Sequence, residues 1–449
     1  SYIIGLQVTS TTTHEALQGE DIQVTIHRKP ACLVELVVKA GKKIIDEAKR
    51  EAIKAVNKEV TLPGFRKGKA PEQTILKRYP QDVERELHKT LANEAYAEAQ
   101  KLARVPLLNQ NAKITFDLKD HSEESAELVF SFETEPVVPS VDPKLFVAKP
   151  VAKAEVGEKQ VEEAIKQMRF FFADWKPVED RAIQDGDYIM IDLDTLENGV
   201  AHKVFRDVRF EVSKERMAPW MQKLVQGAKA GDILEGISEA DETASEQERN
   251  EFKPKQVRIT ILKVESAELP ELNDDLAKKV GAANVEEMHK SIEKMLQEQA
   301  NAGAKEALHE QVNAFLTEQY MFELPKSLVE TEKEHRKQQM LKDPKFKKRW
   351  ESELSQEEKE KTEAKLFDEA HKAVRLFYLA RAIVHQANLS ITHQEVQQEA
   401  IATMQAWNQS AVQPDNIPKE VFALALSKVI LAKAEDYIIE NGSQAESSV

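Results

Sequence analysis

At 449 residues the chain exceeds what one ordinary hydrophobic core can cover, so roughly two to four domains are expected. Hydrophobic residues make up 41%, charged residues 31% and aromatics only 6%, which suits a soluble, largely helical protein with open, charge-flanked helices. A net charge of -15 argues against a general nucleic-acid binder, and the single cysteine, Cys32, excludes a disulfide framework or a cysteine metal cluster.

The opening segment, SYIIGLQVTSTTT, lacks the basic region and long apolar run of a secretory signal. No stretch approaches the roughly 18 to 20 apolar residues of a membrane span, so no membrane partner is expected. With one unpaired cysteine, a reducing cytoplasm fits best. Residues 21–28 (DIQVTIHR) and 32–39 (CLVELVVK) have strand composition. A helix is predicted over 42–58, where Ile44, Ile45, Ala48, Ala52 and Val56 recur at helical spacing. Leu62-Pro63-Gly64 breaks it, and a second long helix is predicted from Pro71 to about Leu102. Strand-like runs follow at 113–118 and 126–135, completing an α+β module over residues 1–135.

The stretch 136–150, PVVPSVDPKLFVAKP, holds four prolines and reads as an extended spacer, taken here as 136–154. A second α+β module, 155–265, opens with a helix (158–175) and continues with strands DYIMIDLDTL, VRFEV and KQVRITILKVE. Its acidic insert, ADETASEQERNE, reads as a solvated loop. From residue 266 to 449 long helical patterns dominate: 285–323, 325–342, 355–388, 391–409 and 418–441. The fold class expected is therefore multidomain α+β with an all-α C-terminal part.

Charge is uneven along the chain. From Thr61 to Pro80, five basic residues (Arg66, Lys67, Lys69, Lys77 and Arg78) face one acid, Glu72. Within this segment, Gly64, Phe65, Arg66, Lys67, Gly68 and Lys69 make a loop with two glycines, one aromatic anchor and clustered cations. Such a tip can fill a pocket with the ring while the cations meet phosphate or carboxylate. The residues alone also allow, and by themselves favour, a solvated basic loop whose Phe65 tucks into its own core, since charge runs are usually just solvated.

The block LPGFRKGKAP resembles the ribosome-docking signature of the trigger factor family. The FETEPVVPSVDP, GDYIMIDLD, ELPELNDD and YMFELPKSLVETE segments resemble further family blocks in the same order, so the resemblance runs from about Leu17 to Gly442. It implies an ATP-independent chaperone whose Phe65, Arg66 and Lys67 contact a ribosomal protein at the exit tunnel, with ribosomal RNA nearby. It also implies capture of nascent and unfolded polypeptides, a cytoplasmic and partly ribosome-associated location, and a homodimer off the ribosome. No cofactor is implied.

By the same resemblance, 155–265 is an FKBP-like peptidyl-prolyl isomerase domain, which works by holding the X-Pro imide twisted in a dry aromatic pocket. The candidate pocket residues are Leu193, Phe205, Phe210 and Trp220. Leu193 stands where the family places an aromatic, Ala218 and Trp220 replace a branched aliphatic and a glycine, and the late pocket tyrosine has no counterpart. The alternative is a chaperone carrying a degenerate, inactive isomerase fold. In the helical part, Phe315, Tyr320, Met321, Phe322, Phe377 and Trp407 are the candidate client-binding residues.

No HExxH or cysteine pair supports a metal site, so the eleven histidines read as structural or solvated. Neither a Walker loop nor GxSxG is present, which argues against nucleotide or hydrolase chemistry.

Overall fold

The computed structural model describes residues 13–408 and 416–445. The chain begins with β1 (Thr13–Gln18), β2 (Ile22–Lys29), β3 (Leu33–Gly41), α1 (Lys42–Glu59), α2 (Glu72–Arg78), α3 (Pro80–Ala103), β4 (Thr115–His121) and β5 (Ser125–Glu133). After β6 (Val147–Ala148) come α4 (Glu158–Phe171), β7 (Asp174–Pro177), β8 (Tyr188–Glu197), β9 (Val200–Glu211) and α5 (Pro219–Val225). These lead to β10 (Ile233–Ile237), α6 (Glu246–Glu251), β11 (Gln256–Glu268) and α7 (Asp274–Lys279). The remainder is α8 (Val285–Gln319), α9 (Lys326–Leu341), α10 (Pro344–Lys348), α11 (Gln356–Gln386), α12 (His393–Asn408), α13 (Lys419–Asn441) and β12 (Ser443–Gln444). Contacts group the chain into two compact units, residues 1–150 with 307–449 and residues 151–306.

In the first unit, an antiparallel sheet of order β1-β2-β3-β5-β4 packs α1 and α3 against one face. Alternation decides the face: Val34, Leu36, Val38 and Ala40 of β3 and Ala126, Leu128, Phe130 and Phe132 of β5 are buried. The helices answer with Ile44, Ile45, Ala48 and Ala52, and with Leu87, Leu91, Ala95 and Ala99. The long helix expected over 71–102 is instead two. Pro80 opens α3, because its missing amide would leave a gap inside a continuous helix. The edge strand β1 had no sequence signal, as THEALQ lacks a run of β-branched residues; its pairing with β2 forms it.

The proline-rich segment is largely extended, as its composition demands, but it is anchored into the first unit at three buried side chains. Val141, Phe146 and Ala148 enter a core with Val312, Leu316, Leu379, Ile383, Ala434 and Ile438. Its backbone groups, having no sheet neighbour over most of their length, are met by side chains. Gln386 accepts from Val141 N at 3.3 Å and donates to Val141 O at 3.2 Å. Gln311 does the same for Lys149, at 2.8 and 3.1 Å. Asp142 N donates to the Tyr320 hydroxyl at 2.7 Å. Past that point β6 pairs in parallel with β12. Gly442 is required there, since a Cβ would lie 2.9 Å from both Phe146 O and Ile438 O.

Arg375 of α11 is also buried. Its Nη1 donates to Thr317 O at 2.9 Å, a carbonyl in the last turn of α8, so the cation sits at the negative end of that helix dipole. Its Nη2 meets His371 Nδ1 at 2.9 Å. Burial and the neighbouring guanidinium hold the His371 pKa down, which keeps the ring neutral and able to accept.

The second unit holds a sheet of order β10-β11-β8-β9, with β7 also on β11. Ile189 and Ile191 of β8 and Val257, Ile259 and Ile261 of β11 pack with Val212, Met217, Met221 and Val225. The helix expected over 158–175 ends at Phe171, and Asp174–Pro177 pairs as β7. The ELPELNDD segment contains a helix start, with Asn273 Oδ1 accepting from Leu276 N at 3.0 Å. Val161 and Ile165 of α4 meet Ala277 and Met288 in a second core.

Replacing Gln386 by Leu leaves both polar groups of Val141 unpaired. The first unit should lose about 2 kcal/mol of stability, read from the urea midpoint. Glu363 accepts from Lys337 and Lys333 at 2.6 and 2.9 Å, and those bonds hold its carboxyl below the usual range. A depressed folded pKa gives stability that is present above the unfolded value of about 4.3 and lost as pH falls through the lower folded one. The α9–α11 hairpin should therefore lose up to about 1 kcal/mol on acidification below about pH 4. Denaturation of Glu363→Gln at pH 6 and pH 3 checks this, since that component should vanish.

Candidate docking site

The loop between α1 and α2 is fixed at its base and free at its tip. Leu62 and Ala70 are buried in a small core with Ile53, Val56, Ile75 and Val83. Asn57 Nδ2 donates to Ala70 O at 2.9 Å, tying the return strand of the loop to α1. Two turns shape the tip, closed by Phe65 N to Leu62 O at 3.2 Å and Lys69 N to Arg66 O at 2.9 Å. Gly64 and Gly68 carry φ of 89° and 84°, and a Cβ at either position would meet nothing within 4 Å, so backbone conformation alone selects glycine at both.

Phe65 is 43% exposed and absent from the core beneath it, so of the two readings that the residues left open the ring does not tuck in. Arg66, Lys67 and Lys69 are exposed, and among the described residues none of them forms an ion pair. The structure therefore places all six candidate docking residues on one small tip. Charge and ring stand ready for an outside partner.

In the second unit Leu193 and Phe205 face each other across β8 and β9, and Phe205 stacks on Phe210 with ring centroids 5.6 Å apart. Trp220 packs against the same core. Leu193 is 8% exposed and Met221 is buried, so both belong to the packed interior. Arg206 closes this edge: Nη2 contacts Asp194 Oδ1 at 2.6 Å and Nη1 donates to Phe205 O at 3.1 Å. A cavity of about 370 Å³ lies on this sheet, but of the four candidates only Phe210 lines it. Its other walls include Phe170, Trp175, Tyr188, Arg209 and Glu211. The Arg209 guanidinium lies 4.2 Å from the Trp175 ring. Burial, then Glu211, pushes the Tyr188 hydroxyl pKa upward, keeping it a phenol. Sequence reasoning missed this cluster, although the run RFFFADW announced its aromatics.

The candidate client residues separate. Phe315, Tyr320 and Phe322 pack at the core of the first unit; the Phe146 and Phe315 rings lie 5.4 Å apart. Met321, Phe377 and Trp407 are exposed, Trp407 at 61%. Phe116 of the edge strand β4 adds another exposed ring in this unit. Cys32 is no candidate for chemistry: burial pushes its thiol up to about 12, and Sγ donates to Glu323 O at 3.4 Å.

An anchored cationic tip, on a unit whose surface carries scattered apolar side chains, suits a chaperone. The family model described as Bacterial trigger factor protein (TF) matches residues 22–168, and that for the Bacterial trigger factor protein (TF) C-terminus matches 284–432. The chain belongs to the trigger factor family, a family of ribosome-associated chaperones. It is 29% identical to the trigger factor of Protochlamydia amoebophila over 387 residues, covering 86% of this chain and 87% of that one. Against the trigger factor of Chlamydia abortus it is 28% identical over 423 residues, 92% of each. The fold also resembles a solved trigger factor chaperone, described for promiscuous substrate recognition in folding and assembly, with a TM-score of 0.51. That likeness covers 92% of this chain and 99% of the other at 20% identity.

Substituting Gly64 by Ala forces a side chain into the left-handed region. It should cost about 1 kcal/mol, measured as a fall in the urea midpoint of the first unit, while Phe65→Ala, whose ring supports no core, should leave that midpoint nearly unchanged.

Proposed function

We propose that this chain is an ATP-independent chaperone that docks at the ribosomal exit tunnel through Gly64, Phe65, Arg66, Lys67, Gly68 and Lys69. The observation that carries the reading is the anchored tip: a partly exposed Phe65 beside three cations that pair with no carboxylate among the described residues. Phosphate or carboxylate on a ribosomal protein or on ribosomal RNA suits those cations, and an apolar pocket suits the ring. In this reading residues 1–135 dock, 136–154 connect, 155–265 form an FKBP-like domain and 266–449 hold nascent and unfolded polypeptides. Met321, Phe377 and Trp407 are the client contacts the exposure favours. Small apolar patches set among charges bind unfolded chains weakly and with little sequence preference. The working location is the cytoplasm, partly on ribosomes.

Prolyl isomerisation of protein substrates is the second reading, favoured by the convergence of Phe205, Phe210 and Trp220 on one core beside Leu193. Against a full isomerase pocket stand the burial of Leu193 and Met221 and the Arg206–Asp194 pair at that edge. The chaperone reading therefore ranks first, with the middle fold a scaffold of low isomerase competence.

Replacing Phe65, Arg66 and Lys67 together by Ala should reduce co-sedimentation with ribosomes at least tenfold, with the circular dichroism spectrum unchanged. Undiminished co-sedimentation would reject this docking site. Refolding of a protein limited by a trans-to-cis prolyl step, with this chain in catalytic amounts, should proceed at its uncatalysed rate while aggregation is suppressed. Acceleration that is lost in Phe205→Ala would instead establish the isomerase.

A further inference from the structure

The densest run of positive charge in the chain lies elsewhere, at the turn that joins α9 to α11. Residues 342–349 hold Lys342, Lys345, Lys347, Lys348 and Arg349 against one acid, Asp343. That acid is committed to structure: its Oδ1 accepts from Lys345 N at 3.0 Å, capping α10. All five cations are exposed, and among the described residues none pairs with a carboxylate. This contrasts with the shaft below, where Lys333 and Lys337 share Glu363 and Arg336 meets Glu332.

The tip is also built. Phe346 and Trp350, one turn apart, are half-buried with ring centroids 6.0 Å apart. Lys337 Nζ lies 4.8 Å and Lys359 Nζ 5.7 Å from the Trp350 ring centroid, so cations of α9 and α11 flank the indole. With residues 346 and 350 facing inward at helical spacing, positions 345, 347, 348 and 349 cover the remaining arc. A π-helical turn, Arg349–Glu353, closed by Leu354 N to Arg349 O at 2.9 Å, holds Arg349 and Trp350 in this orientation. Five like charges in eight residues repel one another, and a polyanion would relieve that repulsion.

We infer that the α9–α11 tip is a binding surface for the phosphate backbone of RNA, separate from the docking loop and independent of the function proposed above. The committed aromatics decide the ligand. Neither ring is free to stack on bases or to insert into a bilayer interface, which leaves sequence-independent phosphate contact as the chemistry on offer. The exposed Glu351 and Glu353 follow in the same π-helical turn, so residues 342–353 carry five cations against three acids. The rest of the chain's acidity is screened beyond about 8 to 10 Å at physiological salt, and the tip stays locally positive despite the net charge of -15.

The test is fluorescence anisotropy of a fluorescein-labelled 24-nucleotide RNA hairpin with the full chain, between 50 and 200 mM KCl. Wild type should bind, and Lys345→Ala, Lys347→Ala, Lys348→Ala and Arg349→Ala combined should weaken binding at least tenfold at 100 mM. The slope of log affinity against log salt should become shallower by about three. Arginine in place of the three lysines should restore both, and the Arg66/Lys67/Lys69 triple alanine variant should retain the tip-dependent part. The inference is overturned by no binding at 50 mM, by equal affinity and slope in the quadruple variant, or by tip-dependent binding to phosphatidylglycerol vesicles in place of RNA.

Discussion

The first unit depends on how a largely extended segment with four prolines is anchored at Val141, Phe146 and Ala148. Extended backbone without a sheet partner is costly to bury, because each amide and carbonyl loses water. Here the cost is met by two glutamines acting as side-chain equivalents of a neighbouring strand, one from α8 and one from α11, with the Tyr320 hydroxyl between them. Once the polar groups are paired, Val141, Phe146 and Ala148 contribute apolar burial to the helices around them. The sheet module and the helical body are thereby one packed object. The Cys32 thiol on Glu323 O and Ser327 N on the Glu133 carboxylate extend the same seam.

Charge is handled in two different ways across the molecule. Where a cation is enclosed, it has a fixed dipole to answer: Arg375 caps α8 and holds a neutral His371. Where cations are left at the surface in numbers, as at Arg66–Lys69 and Lys342–Arg349, carboxylates are withheld. In both places the chain anchors the segment by packing apolar residues at its base, the buried Leu62 and Ala70 in one and the half-buried Phe346 and Trp350 in the other. A positive segment on an acidic protein is in this way kept rigid and unpaired.

Long periodic elements were legible in the sequence. The helices α1, α11 and α13 and the alternating strands β3 and β5 follow the residues that carry their period, within a few positions. The shape of the exposed loop at Gly64–Lys69 was legible because its signal is local: glycines that need positive φ, a lone aromatic and clustered cations within six residues. What could not be read was what depends on distant partners. The edge strand β1 exists only because β2 pairs with it, and the buried role of the proline-rich strand needs Gln311 and Gln386, far along the chain. The same blindness affected Phe315, Tyr320 and Phe322, which look like a sticky cluster until Phe146 and Val312 are brought beside them.

The seam joins residues separated by up to 297 positions, since Ser443 closes on Phe146. During synthesis residues 151–306 are contiguous and can pack as soon as they are made, and so can the sheet with α1 and α3, whereas the core around Val141 and Phe146 is incomplete until α13 has emerged. The Cys32 turn and the proline-rich segment therefore wait uncovered while some three hundred residues are added. Such long-range closure is slow and leaves apolar surface open in the interval. A member of a chaperone family thus passes through a long unfinished stage of its own.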